Sequence, residues 1–311
     1  MKIFLFEYAT CGEETPASIA IEGAGMFKAL YEGFREFLSV KSFVRPEFTE
    51  IFPFPSTENW FEDFERCAEE SDYTLIIAPE DDLLLFELTK AVEKKTANLG
   101  SSSKGVFTTS DKWLTYQAIK GKVNTPETSL KPLDPPFVVK PRISCGGEGI
   151  ELSHGVPEGF IAQEFIEGMD VSVSLLVGDE IRVLSVNGQI IDNFRYKGAI
   201  VPYECGNDVI EEAIKAVEAI KGLFGYVGVD LVVSDIPYVV DVNPRITTPA
   251  ILFRDVYGIN LADVLIRNYE GKPIPEFRAT RKLILKKYQG VSKNSVLSFR
   301  GYSLVKDVYE S

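Results

Sequence analysis

Apolar positions in the first 95 residues fall into blocks of two kinds. Lys2–Glu7 and Tyr73–Ala78 are continuous apolar runs of strand length, and Thr49–Phe54 reads as a further short strand. Ile21–Leu38 instead places Met26, Phe27, Leu30, Phe34, Phe37 and Leu38 at helical spacing. Asn59–Glu69 and Leu83–Lys94 also read as helices. Strands alternating with helices predict an α/β domain with a parallel sheet over residues 1–95.

The pattern changes over residues 96–165. Ser101–Ser103 and Thr108–Ser110 read as loops. Ser110 or Asp111 can cap a helix over Lys112–Ile119, and a turn at Gly121–Pro126 precedes the strand Phe137–Lys140. Over residues 166–311 strands dominate. Phe160–Ile166 runs on through Glu167–Asp170 into Val171–Val177, followed by Ile181–Val186 and Gln189–Ile191. Ile210–Leu223 is an amphipathic helix, and Asn260–Asn268 is also helical. Val227–Val233 and Tyr238–Val242 flank a short Pro-containing connection, which predicts a hairpin. Lys282–Tyr288 and Ser295–Leu304 read as closing strands. The expected class is α/β followed by α+β, divided at 1–95, 96–165 and 166–311.

Composition narrows the function. Of 311 residues, 45% are hydrophobic and 25% charged, as in ordinary globular chains. A formal net charge of -13 argues against nucleic acid as partner, because a phosphate backbone needs basic patches. No apolar run has the length of a membrane span. Cys11, Cys67, Cys145 and Cys205 are far apart, and His154 is the single histidine, so a zinc site is not expected. The N-terminal MKIFLFEYA lacks the features of a signal peptide, and with free thiols this points to the cytoplasm.

Five stretches carry candidate chemistry. In the predicted hairpin, Asp241 and Asn243 are two apart and share a face, and Asp230 on the other arm can point to that face. Two carboxylates and an amide oxygen suit a hard divalent cation; solvated strand-end acids are the plain alternative. The glycine-rich sequence Lys140–Ile150 offers backbone N–H groups to an anion, and Lys140 at the end of an apolar strand is costly to bury without one. It contains no P-loop motif, and a flexible hairpin tip is its alternative. The edge at Gln163–Asp170 can carry adenine, with Asp170 on a ribose hydroxyl; a plain sheet with an exposed acid is the alternative. Arg195 and Lys197 cluster two apart and suit a phosphate or carboxylate, with a solvated charged face as the plain alternative. Gly23–Gly25 does not fit a dinucleotide fingerprint and reads as a tight helix start or substrate loop, with Glu22 beside it as a candidate contact.

An ordered set joins these pieces: DKW at Asp111–Trp113, Thr125–Pro126, VVKP and GGEGI within Val138–Ile150, QEFIEGMD at Gln163–Asp170, and GVDLVV with VVDVNPR up to Arg245. In this order it resembles the ATP-grasp superfamily. The resemblance implies an ATP-grasp fold preceded by an N-terminal α/β (pre-ATP-grasp) domain, with ATP and Mg²⁺ (or Mn²⁺) in the cleft. By motif it implies that Lys112 and Lys140 hold phosphates and that Ser144, Gly146, Gly147 and Gly149 belong to a lid. It implies further that Gln163, Glu164, Phe165 and Ile166 line the adenine hinge and that Asp170 binds ribose. Asp230, Asp241 and Asn243 would hold the metal, and Lys197 and Arg245 would act at the transferred phosphate. One departure is that the second metal acid is usually Glu and is here Asp241.

FEYATCG at Phe6–Gly12, EGAGMFKAL at Glu22–Leu30, NFRYKGAIVP and VNPRITTP extend the likeness over nearly the whole chain. They are similar to the archaeal tyramine–L-glutamate ligase family of methanofuran biosynthesis and its relatives. This implies an ATP-dependent carboxylate–amine ligase acting through an acyl phosphate on small-molecule substrates, with a homodimer among the assemblies it allows. A ligase or carboxylase with another acid or amine, and an inactive nucleotide-binding protein, remain the alternatives.

Overall fold

The computed structural model describes residues 1–292 and 295–309. Its first sheet is parallel, in the order Ser39–Lys41, Lys2–Glu7, Tyr73–Ile77, Ala97–Asn98. Helices Ala17–Phe34, Trp60–Glu69 and Leu84–Val92 accompany it. Asn59 caps the second of these through its side chain. Phe4 and Phe6 are fully buried and meet the edge of Phe64. Such aromatic packing explains why a strand this short can anchor a domain.

The second sheet has four strands, ordered Thr128–Ser129, Phe160–Glu164, Phe137–Pro141, Glu151–Ser153. The third has eight, all pairing antiparallel: Pro237–Asn243, Gly225–Val233, Met169–Val177, Ile181–Asp192, Arg195–Val201, Leu283–Gln289, Tyr302–Val308, Ser295–Phe299. One face buries Val171, Val173, Val227 and Val229 against Val209, Ala213, Ala216 and Val217 of helix Asn207–Glu218. The other contributes Leu176, Tyr226, Leu283 and Leu285 to the core that also holds the N-terminal sheet. The N-terminal domain and the large sheet therefore share one apolar core. Among the described residues no helix is long and apolar enough to cross a membrane.

Several expectations need correction. Thr49–Phe54 is not a strand; a 3-10 turn over Pro46–Phe48 and irregular backbone occupy that region, and the strand is Ser39–Lys41. The polar stretch around Ser101–Ser110 holds a helix, Ser103–Ser110, capped by the Ser102 hydroxyl. Gly23–Gly25 sits in the middle of helix Ala17–Phe34, neither at a helix start nor in a loop. A Cβ on Gly23 would lie 2.3 Å from the Glu7 carboxylate, and one on Gly25 2.5 Å from Leu304, so these glycines permit close packing. The residues from Ile181 to Asp192 form one strand. The segment read as Ser295–Leu304 is a hairpin, because Arg300 and Gly301 both take positive φ and turn the chain.

Candidate active site

The hairpin Gly225–Val233/Pro237–Asn243 brings Asp230 directly opposite Asp241, and Gly228 opposite Asn243. Pleating sends all three polar side chains to one side. Asn243 Nδ2 donates to Asp230 Oδ2 at 2.9 Å, and Gln189 Nε2 donates to Oδ1 at 2.9 Å. Burial and the neighbouring Asp241 charge push the Asp230 carboxyl up to about 6. Burial also pushes Asp241 up, but the Lys112 and Lys140 ammonium groups outweigh it and hold that carboxyl below the usual range.

Lys112 opens helix Lys112–Ile119, whose N-terminus is capped by Asp111 Oδ1. Its Nζ bonds Asp241 Oδ2 at 2.9 Å and the Ser144 carbonyl at 3.0 Å, so it ties the hairpin to the glycine-rich loop. Lys140, on strand Phe137–Pro141, is 9% exposed and donates to Gln163 Oε1 at 2.6 Å. Among the described residues it pairs with no carboxylate within 4.0 Å. Burial lowers its amine to about 8. Gln163 is itself oriented by Thr128, to which its Nε2 donates at 3.1 Å.

In the loop, Gly146, Gly147 and Gly149 have φ of +65°, +76° and +71°. A Cβ on Gly147 would stand 2.1 Å from the Phe194 carbonyl. Cys145 Sγ donates to Asp81 Oδ2 at 2.9 Å, and Arg195 lies 3.9 Å from Glu148. Phe165 meets the edge of Phe194 with ring centres 6.3 Å apart. Burial raises the Asp170 carboxyl.

Arg245 makes a forked pair with Glu80, at 2.8 Å from Nε and 2.9 Å from Nη2. Sequence reasoning missed Glu80, Gln189 and Lys287. Glu80 had a signal: it lies just past the carboxyl end of the buried strand Tyr73–Ile77, where open α/β sheets bind ligands. The other two sit in strands whose polar residues look like solvated faces until the pairing is known.

A cleft of about 980 Å³ gathers these elements. Lys140, Gly146, Gly147, Gln163, Glu164, Phe165, Ile166, Asp170, Lys197, Asp230, Asp241, Asn243 and Arg245 line it, whereas Lys112, Ser144 and Gly149 do not. The N-terminal domain contributes Glu7, Tyr8, Ile19, Glu22 and Ile77–Pro79. Among the described residues no group of three His, Cys, Asp or Glu gathers as a metal cluster. The donor set is two carboxylates plus an amide oxygen, which fits a hard cation such as Mg²⁺ or Mn²⁺. Asn243 can present Oδ1 to such an ion while its Nδ2 stays on Asp230.

Residues 109–249 match the model of the ATP-grasp domain, and residues 40–106 that of the pre ATP-grasp 3 domain. Tyramine–L-glutamate ligase of Methanocaldococcus fervens is 39% identical over 88% of this chain and 95% of its own length. The enzyme of the same name from Methanocaldococcus jannaschii is 39% identical over 88% of this chain and 90% of its own. An ATP-grasp superfamily protein from Archaeoglobus fulgidus superposes with a TM-score of 0.92 at 46% identity, covering 100% of both chains. L-amino acid ligase from Bacillus licheniformis shares the fold, with a TM-score of 0.68 at 18% identity over 96% of this chain and 82% of that one.

Proposed function

The chain belongs to the ATP-grasp family that includes these tyramine–L-glutamate ligases, and on that premise we propose that it joins L-glutamate to tyramine at the expense of ATP. The observation that carries the nucleotide half of this reading is Lys140. Among the described residues this buried ammonium has one neutral hydrogen-bond partner and no carboxylate in contact, and it lines the same cleft as Asp230 and Asp241. A nucleotide phosphate with a divalent cation satisfies both sides at once.

In this reading ATP and the two small molecules are substrates, used in the cytoplasm. Gln163–Ile166 and Asp170 hold the adenosine, and Lys140 binds phosphate oxygens. Asp230, Asp241 and Asn243 would hold a divalent cation, which would supply charge neutralisation to the phosphates. Arg245 and Lys197 orient the acid so that its carboxylate oxygen attacks the γ-phosphorus, forming an acyl phosphate and releasing ADP. The amine nitrogen then attacks the acyl carbon; the C–O bond to phosphate breaks, phosphate leaves, and the nitrogen gives up a proton. The loop Ser144–Gly149 covers the acyl phosphate and excludes water, which would otherwise hydrolyse it. Lys112 acts from behind, holding Asp241 and the loop in register.

Mass spectrometry of a reaction with ATP, Mg²⁺, L-glutamate and tyramine tests this. One amide per ADP and per phosphate is expected. ADP release only with another acid or amine would discard the substrate pair, and ATP binding without turnover across a broad panel would overturn the ligase reading.

A further inference from the structure

The cleft contains a second charged cluster, which the phosphate chemistry leaves unused. Glu22, on helix Ala17–Phe34, accepts from Thr248 Oγ1 at 2.9 Å and pairs with Lys287 of strand Leu283–Gln289. The Lys287 and Glu22 side chains are only 15% and 16% exposed, and both line the cleft. Tyr196 also lines it; among the described residues its buried hydroxyl makes no hydrogen bond of good geometry, and Thr248, Glu22 and Asp230 lie near it. Burial keeps that phenol protonated, so it is a donor waiting for an acceptor.

Desolvating an ion pair is a poor way to stabilise a fold, since the desolvation cost offsets much of the attraction. An orphaned hydroxyl beside it adds to the cost. Side by side, a carboxylate and an ammonium have another use: together they complement a zwitterion. We propose that Glu22 and Lys287, with Thr248 and the Tyr196 hydroxyl, form the subsite for the α-ammonium and α-carboxylate of the amino-acid substrate. The proposal rests on the ligase reading above. When the amino acid enters, Glu22 takes its ammonium and Lys287 its carboxylate, and the Tyr196 hydroxyl gains an acceptor. One ion pair is exchanged for two, and the net charge of the site does not change. A dicarboxylate without the amino group would leave Glu22 facing its own kind of charge, so the subsite selects amino acids by repulsion as well as attraction.

The test is equilibrium titration of protein loaded with Mg²⁺ and a non-hydrolysable ATP analogue, using L-glutamate and glutarate, which differ by the amino group. Wild-type protein should prefer glutamate. Glu22→Gln should weaken glutamate binding at least tenfold and narrow its advantage over glutarate, while Lys287→Met should weaken both. In turnover, the KM for glutamate should rise with the KM values for ATP and amine nearly unchanged. Glu22→Lys combined with Lys287→Glu keeps an ion pair for the fold but reverses its polarity, and should still fail to bind glutamate. Unchanged glutamate binding in Glu22→Gln, restored binding in the reversed pair, a KM effect confined to the amine, or no glutamate binding by the wild type would each overturn the subsite. Amide formation by the wild type decides the ligase reading separately.

Discussion

Lys140 shows at one residue how a ligand-free fold carries the cost of a future ligand. Its amine falls from the ordinary 10.5 to about 8, a cost of about 3 kcal/mol when the group is charged. Between those two pH values the unfolded chain binds the proton that the folded one has lost. Stability from this group therefore rises as pH climbs from 8 towards 10.5, and the full cost is present below 8. Lys140→Met removes the charge but leaves Gln163 Oε1 without its donor, a loss of about 1 kcal/mol. The ligand-free variant should melt higher than wild type at pH 7, with a gain that shrinks by pH 10, and nucleotide affinity should drop at least tenfold. Melting curves at the two pH values check this; an equal offset at both would refute it. Asp230 gives the complementary case. Asp230→Asn removes one of two facing carboxylates, so Mg²⁺ or Mn²⁺, which should raise the wild-type melting temperature in a nucleotide-free scan, should have little effect on the variant. A cation response undiminished in the variant would place the metal elsewhere.

At the scale of elements, the glycine-rich loop is shaped by what it touches. Gly147 combines a φ of +76° with a 2.1 Å approach from its absent Cβ to the Phe194 carbonyl. Gly147→Ala should push the loop off the turn between strands Ile181–Asp192 and Arg195–Val201. Turnover should fall at least tenfold while unproductive ATP hydrolysis rises relative to amide, because the cover over the acyl phosphate fails. The global melting temperature should move little, as the loop lies outside the apolar cores. A ratio of ADP to amide that stays at one would argue against the loop as a cover. The same scale explains what the sequence made legible. The hairpin of Asp230 and Asp241 was readable because strand periodicity alone fixes which side chains share a face. Lys140 was readable because a charge ending an apolar strand is conspicuous. Glycines 23 and 25 were not, because their reason lies in Glu7 and Leu304, distant in sequence and brought close only by packing. The helix Ser103–Ser110 was hidden for a related reason: its polar residues turn inward, with Thr109 and Ser110 buried.

At the scale of the molecule, the cleft works only if the N-terminal domain stays docked on the large sheet, and the fork between Glu80 and Arg245 is one of the ionic links across that junction, alongside the Glu22–Lys287 pair. Glu80, 4% exposed, comes from the first sheet's carboxyl edge, and Arg245 follows the hairpin. Burial acts against the Arg245 charge, but the Glu80 carboxylate more than compensates and the guanidinium titrates above its ordinary value. Removing one partner of a buried pair costs more than the pair contributes, because the other charge is left in a low-dielectric site; about 3–5 kcal/mol is typical. Glu80→Gln should therefore lower the melting temperature by several degrees and also release Arg245 from its fixed orientation. With Arg245 no longer orienting the acid for attack on the γ-phosphorus, kcat should fall while the KM for ATP changes less, since the adenosine contacts at Gln163–Asp170 are untouched. Glu80→Ala with Arg245→Leu removes both charges and should recover much of the stability with none of the activity. A double variant as unstable as Glu80→Gln would mean that the fork contributes to the fold through shape instead of charge, and a double variant that kept turnover would remove Arg245 from the chemistry altogether.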